Sequence, residues 1–352
     1  MLRQRISVQP LRATDIPQIV ELIQAQFRRQ DAIDPRLHLS RSASDLNKML
    51  QAQLEMSDNQ PLVAHDAEGR VRGYVLPAYW ELEPDEEMIS FFTARNGTCQ
   101  YWTLPAPTDA DALPVTEAML DALTAYWQSK QTYGDLLRWP ANDLWLEPLL
   151  FARGFLSDNL MALRPLDPLP PSKHPTPPGY HARLARPEDE DALVRLHHDE
   201  LAFHLPYTPF VRLVPALETA FRKRLAQAWE GIAVEDGAPL VIVIEHEQEV
   251  VAMSENELLI VENMGGFRLM PPGRYGYLNN VSVSEKTRGQ GIGRLLVEAT
   301  FQALSRYDID AYILWYSQDN PRASGFWPHM GFRPLWKTHQ RHNRSDGIQP
   351  MS

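Results

Sequence analysis

Three glycines within six residues, Arg288-Gly289-Gln290-Gly291-Ile292-Gly293, make the stretch of this sequence best suited to hold a charged ligand. Glycine lacks Cβ, so its backbone reaches positive φ cheaply and lets a ligand approach the main chain. The pattern sits between an expected strand, Tyr275 to Val283, and an expected helix, Arg294 to Ser305, in which Leu295, Leu296, Ala299 and Ala303 recur at helical spacing. Such a strand-to-helix turn presents the first unbonded N–H groups of the helix, where the helix dipole favours negative charge. Arg288 and Arg294 add positive charge beside it, so the turn suits a pyrophosphate. The dinucleotide fingerprint G-x-G-x-x-G and the G-K-[ST] of a P-loop are both absent.

His197, His198 and Glu200 also carry groups that bind metals. His197 and Glu200, three apart, share a helix face, but His198 points elsewhere and no third ligand stands at motif spacing, so no metal is expected. Cys99 is the only cysteine, which excludes an intrachain disulfide.

The glycine pattern reads R-x-x-G-x-G, and a second block follows it: the strand Ala311 to Tyr316, then Asn320-x-x-Ala323-x-x-Phe326-Trp327-x-x-Met330-Gly331-Phe332. In this order the two blocks resemble the GNAT superfamily of acyl-CoA-dependent N-acetyltransferases. The resemblance implies an α/β fold with a mixed sheet flanked by helices, and acetyl-CoA as co-substrate. It places the cofactor against Val281, Ser282 and Val283, the turn Arg288, Gly289, Gln290, Gly291, Ile292, Gly293 and Arg294, and the residues Asn320, Ala323 and Phe326. Asn320 is equally a helix N-cap by residue type.

The implied reaction is attack of a neutral amine on a thioester, needing a backbone donor for the carbonyl, a base, and optionally an acid. Splayed backbone near Asn280 to Val283 supplies the donor in the family. Asn279 and Asn280 stand where some relatives carry a glutamate, which leaves Glu255 and Glu257 on the neighbouring strand as the nearest carboxylates. Trp327 replaces the usual tyrosine acid and has no usable acidic proton; a thiol of pKa ~8.5 leaves adequately without one. The loop carrying His204, Tyr207 and Phe210 covers the acceptor side in the family, so these residues are expected at a small-molecule or peptide amine. Alternatives are an acyl-CoA-binding protein without turnover, or transfer of an aminoacyl or longer acyl group.

The elements that position these residues occupy only the second half of 352 residues, and a similar order precedes them. Strand Arg5 to Leu11, helices from Ile16 and Ser44, a hairpin about Asp66 to Gly69, strand Cys99 to Leu104 and helix Val115 to Gln128 open the first half. No glycine lies between Gly97 and Gly134, and Asp109 and Asp111 bring carboxylates where a pyrophosphate needs amides. Residues 1–165 are therefore expected to be a degenerate GNAT-like domain, 166–179 a stiff proline-rich linker, and 180–345 the catalytic domain. At 44% hydrophobic and 22% charged the composition is that of a globular protein. The net charge of −11 disfavours nucleic acid and anionic membrane and mildly favours a cationic amine. No apolar run approaches the ~20 residues that span a bilayer, and residues 1–6 lack the apolar core of a signal peptide. A cytoplasmic monomer or homodimer is expected.

Overall fold

The computed structural model describes residues 6–56, 60–169, 178–262 and 268–346. Most of the expected linker, and part of the loop after Val261, lie outside the described residues. The first half runs β1 (Ser7–Pro10), α1 (Ile16–Ile33), α2 (Ala43–Leu54), β2 (Leu62–His65), β3 (Val71–Glu81), β4 (Arg95–Thr103), α3 (Ala112–Ser129), β5 (Gly134–Pro140), α4 (Glu147–Phe151) and β6 (Leu156–Pro165). The second repeats that order: β7 (Tyr180–Leu184), α5 (Glu190–His204), α6 (Pro215–Trp229), β8 (Leu240–His246), β9 (Glu249–Val261), β10 (Gly273–Val283), α7 (Ile292–Leu304), β11 (Ala311–Tyr316), α8 (Pro321–His329) and β12 (Arg333–His342). The two halves even start their first helix with the same device. The carboxylate of Asp15 accepts from the Arg12 amide at 3.0 Å, and that of Asp189 from the Arg186 amide at 2.8 Å.

All 12 strands form one mixed sheet, in the order β1-β2-β3-β4-β5-β12-β6-β11-β10-β9-β8-β7. Each strand of the first half and its counterpart in the second hold equivalent places, so the sheet has an approximate twofold. At its centre the last strands are exchanged. Strand β6 pairs with β11 of the second half, and β12 pairs with β5 of the first, while β6 and β12 lie antiparallel side by side. The order of elements along the chain does not reveal this exchange.

The exchange explains the composition of β6. Met161 and Leu163 point into the core under α1 and α2, whereas Leu160 and Ala162 point into the core under α7. A strand buried on both faces reads as a nearly continuous apolar run rather than an alternating one. Neither half could close its sheet without the other, because β5 and β11 would each be left with an unpaired edge.

Candidate active site

Strands β10 and β11 run parallel from Tyr275 opposite Ala311 to Leu278 opposite Leu314; the pairing stops there although β10 continues to Val283. Just beyond, the pairing of β10 with β9 slips by one residue between Leu278 and Asn280. A bulge of this kind re-aims the strand and leaves local backbone groups unpaired. A cleft of about 680 Å³ opens between the two strands and the start of α7.

The expected helix begins at Ile292, with Gly291 as its N-cap at φ 84° and no side chain capping it. Gly289 also has positive φ, at 79°. Both positions thus need glycine for backbone reasons. Gly293 does not: its φ is ordinary, and an added Cβ would lie 3.5 Å from the ring of Phe326, a normal contact. Its smallness instead leaves the cleft wall open. Of the residues expected at a cofactor, Val281 to Val283, Arg288, Gly289, Gly291 to Arg294, Asn320, Ala323 and Phe326 line the cleft. Gln290 turns away, and its side-chain carbonyl accepts from the Tyr180 hydroxyl at 3.1 Å. Asn320 is the N-cap of α8, its Oδ1 accepting from the amides of Arg322 and Ala323 at 3.0 and 3.3 Å.

Arg322 and Phe203 line the cleft without having been singled out from the sequence, and so does Glu200, weighed there only as a metal-capable residue. The guanidinium of Arg322 stacks 4.1 Å from the Phe203 ring centroid and that of Arg288 lies 5.4 Å from the same ring. Burial, and then the Arg322 charge, lower the pKa of Arg288. Two like charges held on one ring beside an uncapped helix start fit an anion that screens them. Arg322 had a readable signal, since a cation in the first turn of a helix opposes the dipole unless an anion is nearby.

The candidate proton-transfer groups separate into unlike environments. Glu255 is fully buried, its carboxylate bound by Arg224 at 2.5 Å and by the Asn280 side chain. Arg224 also holds Glu87, from the turn before β4, so this ion pair ties the halves together. Glu257 has one neutral partner, Asn279, whose Nδ2 donates at 3.1 Å and which itself lines the cleft. Burial, then the neighbouring Glu255 charge, raise the pKa of Glu257. Neither glutamate lines the cleft directly.

Trp327 does line it, set edge-on against Phe326 and Phe332 with centroids 4.9 and 5.4 Å away. Of the expected acceptor residues, His204 lines the cleft with Glu200, their side chains 2.7 Å apart. Burial opposes charge on His204, but the Glu200 carboxylate prevails and raises its pKa. Tyr207 and Phe210 lie off the cleft: Tyr207 packs on Phe203, and Phe210 is buried against His342. His197 stacks on Phe221 at 4.3 Å, and no cluster of three metal-capable side chains occurs among the described residues.

The equivalent place in the first half is partly taken up by its own side chains. Strands β4 and β5 pair in parallel only at Asn96–Gly97 with Gly134–Asp135. Farther along, the Gln26 side chain takes the place of a strand, donating to the Trp102 carbonyl at 2.9 Å and accepting from the Leu104 amide at 2.8 Å. At the turn into α3, Asp111 and Asp109 bind Arg72 at 2.5 and 3.2 Å.

A model of the family described as Acetyltransferase (GNAT) family matches residues 202–332, the stretch from the end of α5 through the glycine turn to Phe332. The match spans 131 of the 352 residues, so this stretch of the chain is similar to the GNAT family. A GCN5-related N-acetyltransferase from Sphaerobacter thermophilus has 15% identity and a TM-score of 0.53 over 99% of this chain and 98% of that one, which shows a shared fold. Two other solved structures are less alike in shape. The glucosamine N-acetyltransferase region of a fungal multi-domain GH3 β-N-acetylglucosaminidase has 13% identity and a TM-score of 0.49 over 97% of this chain and 38% of that one. A tandem GNAT protein from the clavulanic acid biosynthesis pathway has 14% identity and a TM-score of 0.45 over 98% and 100%. No curated protein matches the chain in sequence. No helix among the described residues is long and apolar enough to cross a membrane.

Proposed function

We propose that residues 180–345 carry an N-acetyltransferase site that uses acetyl-CoA and a primary amine, small-molecule or peptide, in a ternary complex. Residues 1–165 are the half without a cofactor turn. The observation that supports this best is the convergence of the β10–β11 opening, the uncapped α7 start and the Arg288–Arg322 pair on one cleft. The bound thioester supplies an activated acyl carbonyl. The chain's part is to bind the phosphates at the amides of α7 and at Arg288 and Arg322, and to offer unpaired β10 amides to the carbonyl oxygen. Glu257 accepts the ammonium proton through a water that bridges it to the amine, while Asn279 donates to the carboxylate and holds it in place. Glu255 is unsuited to that role because Arg224 and Asn280 occupy its oxygens.

Isothermal titration of acetyl-CoA tests the reading. Wild type is expected to bind one equivalent, and Gly291→Asp with Gly293→Asp none, since a carboxylate replaces the anion and position 291 needs positive φ. Two equivalents, or binding that survives the double substitution, overturns it. The lack of an acidic proton on Trp327 favours a second reading, an acyl-CoA-binding protein without turnover. Thiol release from acetyl-CoA across a panel of amines separates the two, because only the enzyme releases CoA.

A further inference from the structure

The gap between β4 and β5 is not completely filled by Gln26. A cavity of about 350 Å³ remains, walled by Phe27 of α1, Tyr101 and Trp102 of β4, Arg138 and Trp139 of β5, and Trp336 of the exchanged strand β12. Arg138 makes no ion pair and no hydrogen bond among the described residues, and its Nε–H is fully buried. Its guanidinium lies over the face of Trp315, 5.3 Å from the ring centroid. The indole N–H groups of Trp102 and Trp139, both in nearly buried side chains, are likewise buried without a partner. Buried donors left unmade cost the fold about 1–3 kcal/mol each, more for a charged group. The carboxyl of Asp158 acts on Arg138 without an ion pair or hydrogen bond to it, and burial pushes that carboxyl up to about 7 against the pull of Arg138.

We propose that this cavity is a second ligand site, for a small aromatic carboxylate. The acid group pairs with the guanidinium of Arg138, and the ring lies among Phe27, Tyr101 and Trp336. A planar guanidinium matches a carboxylate with two parallel hydrogen bonds, and flat aromatic walls favour a flat apolar body. The volume stands at the low end of the ~300–1,000 Å³ typical of small-molecule pockets. Coenzyme A does not suit it: the neighbouring turn offers Asp109 and Asp111, already bound to Arg72, and the adjoining strand edge is taken by Gln26. The site stands independently of the acetyl-transfer reading.

The probe is indole-3-acetate, titrated calorimetrically into the full chain, with indole-3-acetamide as its neutral isostere. The acid is expected to bind at one equivalent, the amide roughly tenfold more weakly or worse, and Arg138→Met to weaken the acid by roughly tenfold or more. Saturating acetyl-CoA should leave the acid's affinity unchanged, which separates this site from the β10–β11 cleft. Absence of binding at millimolar acid, equal affinity for acid and amide, or competition with acetyl-CoA overturns the proposal. If Arg138→Met does not fold, the acid–amide comparison on wild type decides the matter.

Discussion

The β4–β5 and β10–β11 openings occupy equivalent positions in one sheet, and they differ in what satisfies the backbone and charges around them. In the first half a glutamine side chain bonds the open strand edge and an arginine neutralises the carboxylates of the turn. In the second, the turn has no side-chain cap and two arginines share one aromatic ring, Arg288 reaching the exposed Glu285 only at 3.8 Å. A duplicated fold thus keeps its geometry while one copy satisfies its strand edge and its turn with its own side chains and the other leaves those two places for a ligand. The comparison predicts where substitutions alter function and where they alter only stability.

The largest difference is expected between the two buried glutamates. Glu257→Gln removes the proposed base and should lower kcat by ~10²–10³, the usual range for a general base. The ionised form of Glu257 does the work and its pKa is raised above the ordinary 4.5, so activity should fall, as pH drops, at a higher pH than an ordinary glutamate would give. Glu255→Gln breaks a buried ion pair and should instead cost about 3 kcal/mol of stability, read from denaturant midpoints. If Glu255→Gln removed the acid limb of the rate profile and Glu257→Gln did not, the assignment would be reversed.

Arginines at the two turns give a smaller, paired test. Arg322→Ala should weaken acetyl-CoA by ~10-fold, the loss of about one charge-assisted contact, with little effect on folding. Arg72→Ala should leave acetyl-CoA affinity as it is and cost about 1–3 kcal/mol, because the mostly buried Asp111 loses its partner. Equal effects on acetyl-CoA would mean that the two turns do not differ as described. Gln26→Ala belongs with Arg72. It leaves one carbonyl and one amide of the strand edge unpaired, an expected cost of about 1–2 kcal/mol with unchanged acetyl-transfer.

Much of this was legible in the sequence, and the reasons differ by element. The glycine turn, Asn320 as a cap and β11 at Ala311–Tyr316 follow from local rules of φ, capping and periodicity. The exchange of β6 and β12 was not legible, because strand partners are chosen by tertiary packing and both strands satisfy local rules wherever they pair. The same limit hid the Arg224 bridge from Glu255 to Glu87. Tyr207 and Phe210 were expected at the acceptor because they are aromatic and in the right loop, yet aromatic identity does not say which way a loop faces, and they pack on Phe203 and His342 instead. Gln26 and Arg138 gave no sequence signal at all, since their meaning depends on a gap between strands.

The smallest expected effect concerns Asp158, and it bears on whether Arg138 is truly unpaired. The folded chain raises this carboxyl from an ordinary 3.8 to about 7. A raised carboxyl contributes stability that is full below the ordinary pKa and is lost as pH rises through about 7. Asp158→Asn, which stays neutral, should therefore be better tolerated at pH 8 than at pH 5, as denaturant midpoints of variant and wild type at the two pH values would show. The opposite order, a variant that suffers more at pH 8, would mean that an ionised Asp158 already neutralises Arg138. The first-half cavity would then resemble the turn beside it, a place where the chain has answered its own charge, and Arg138 would have none left for a carboxylate ligand.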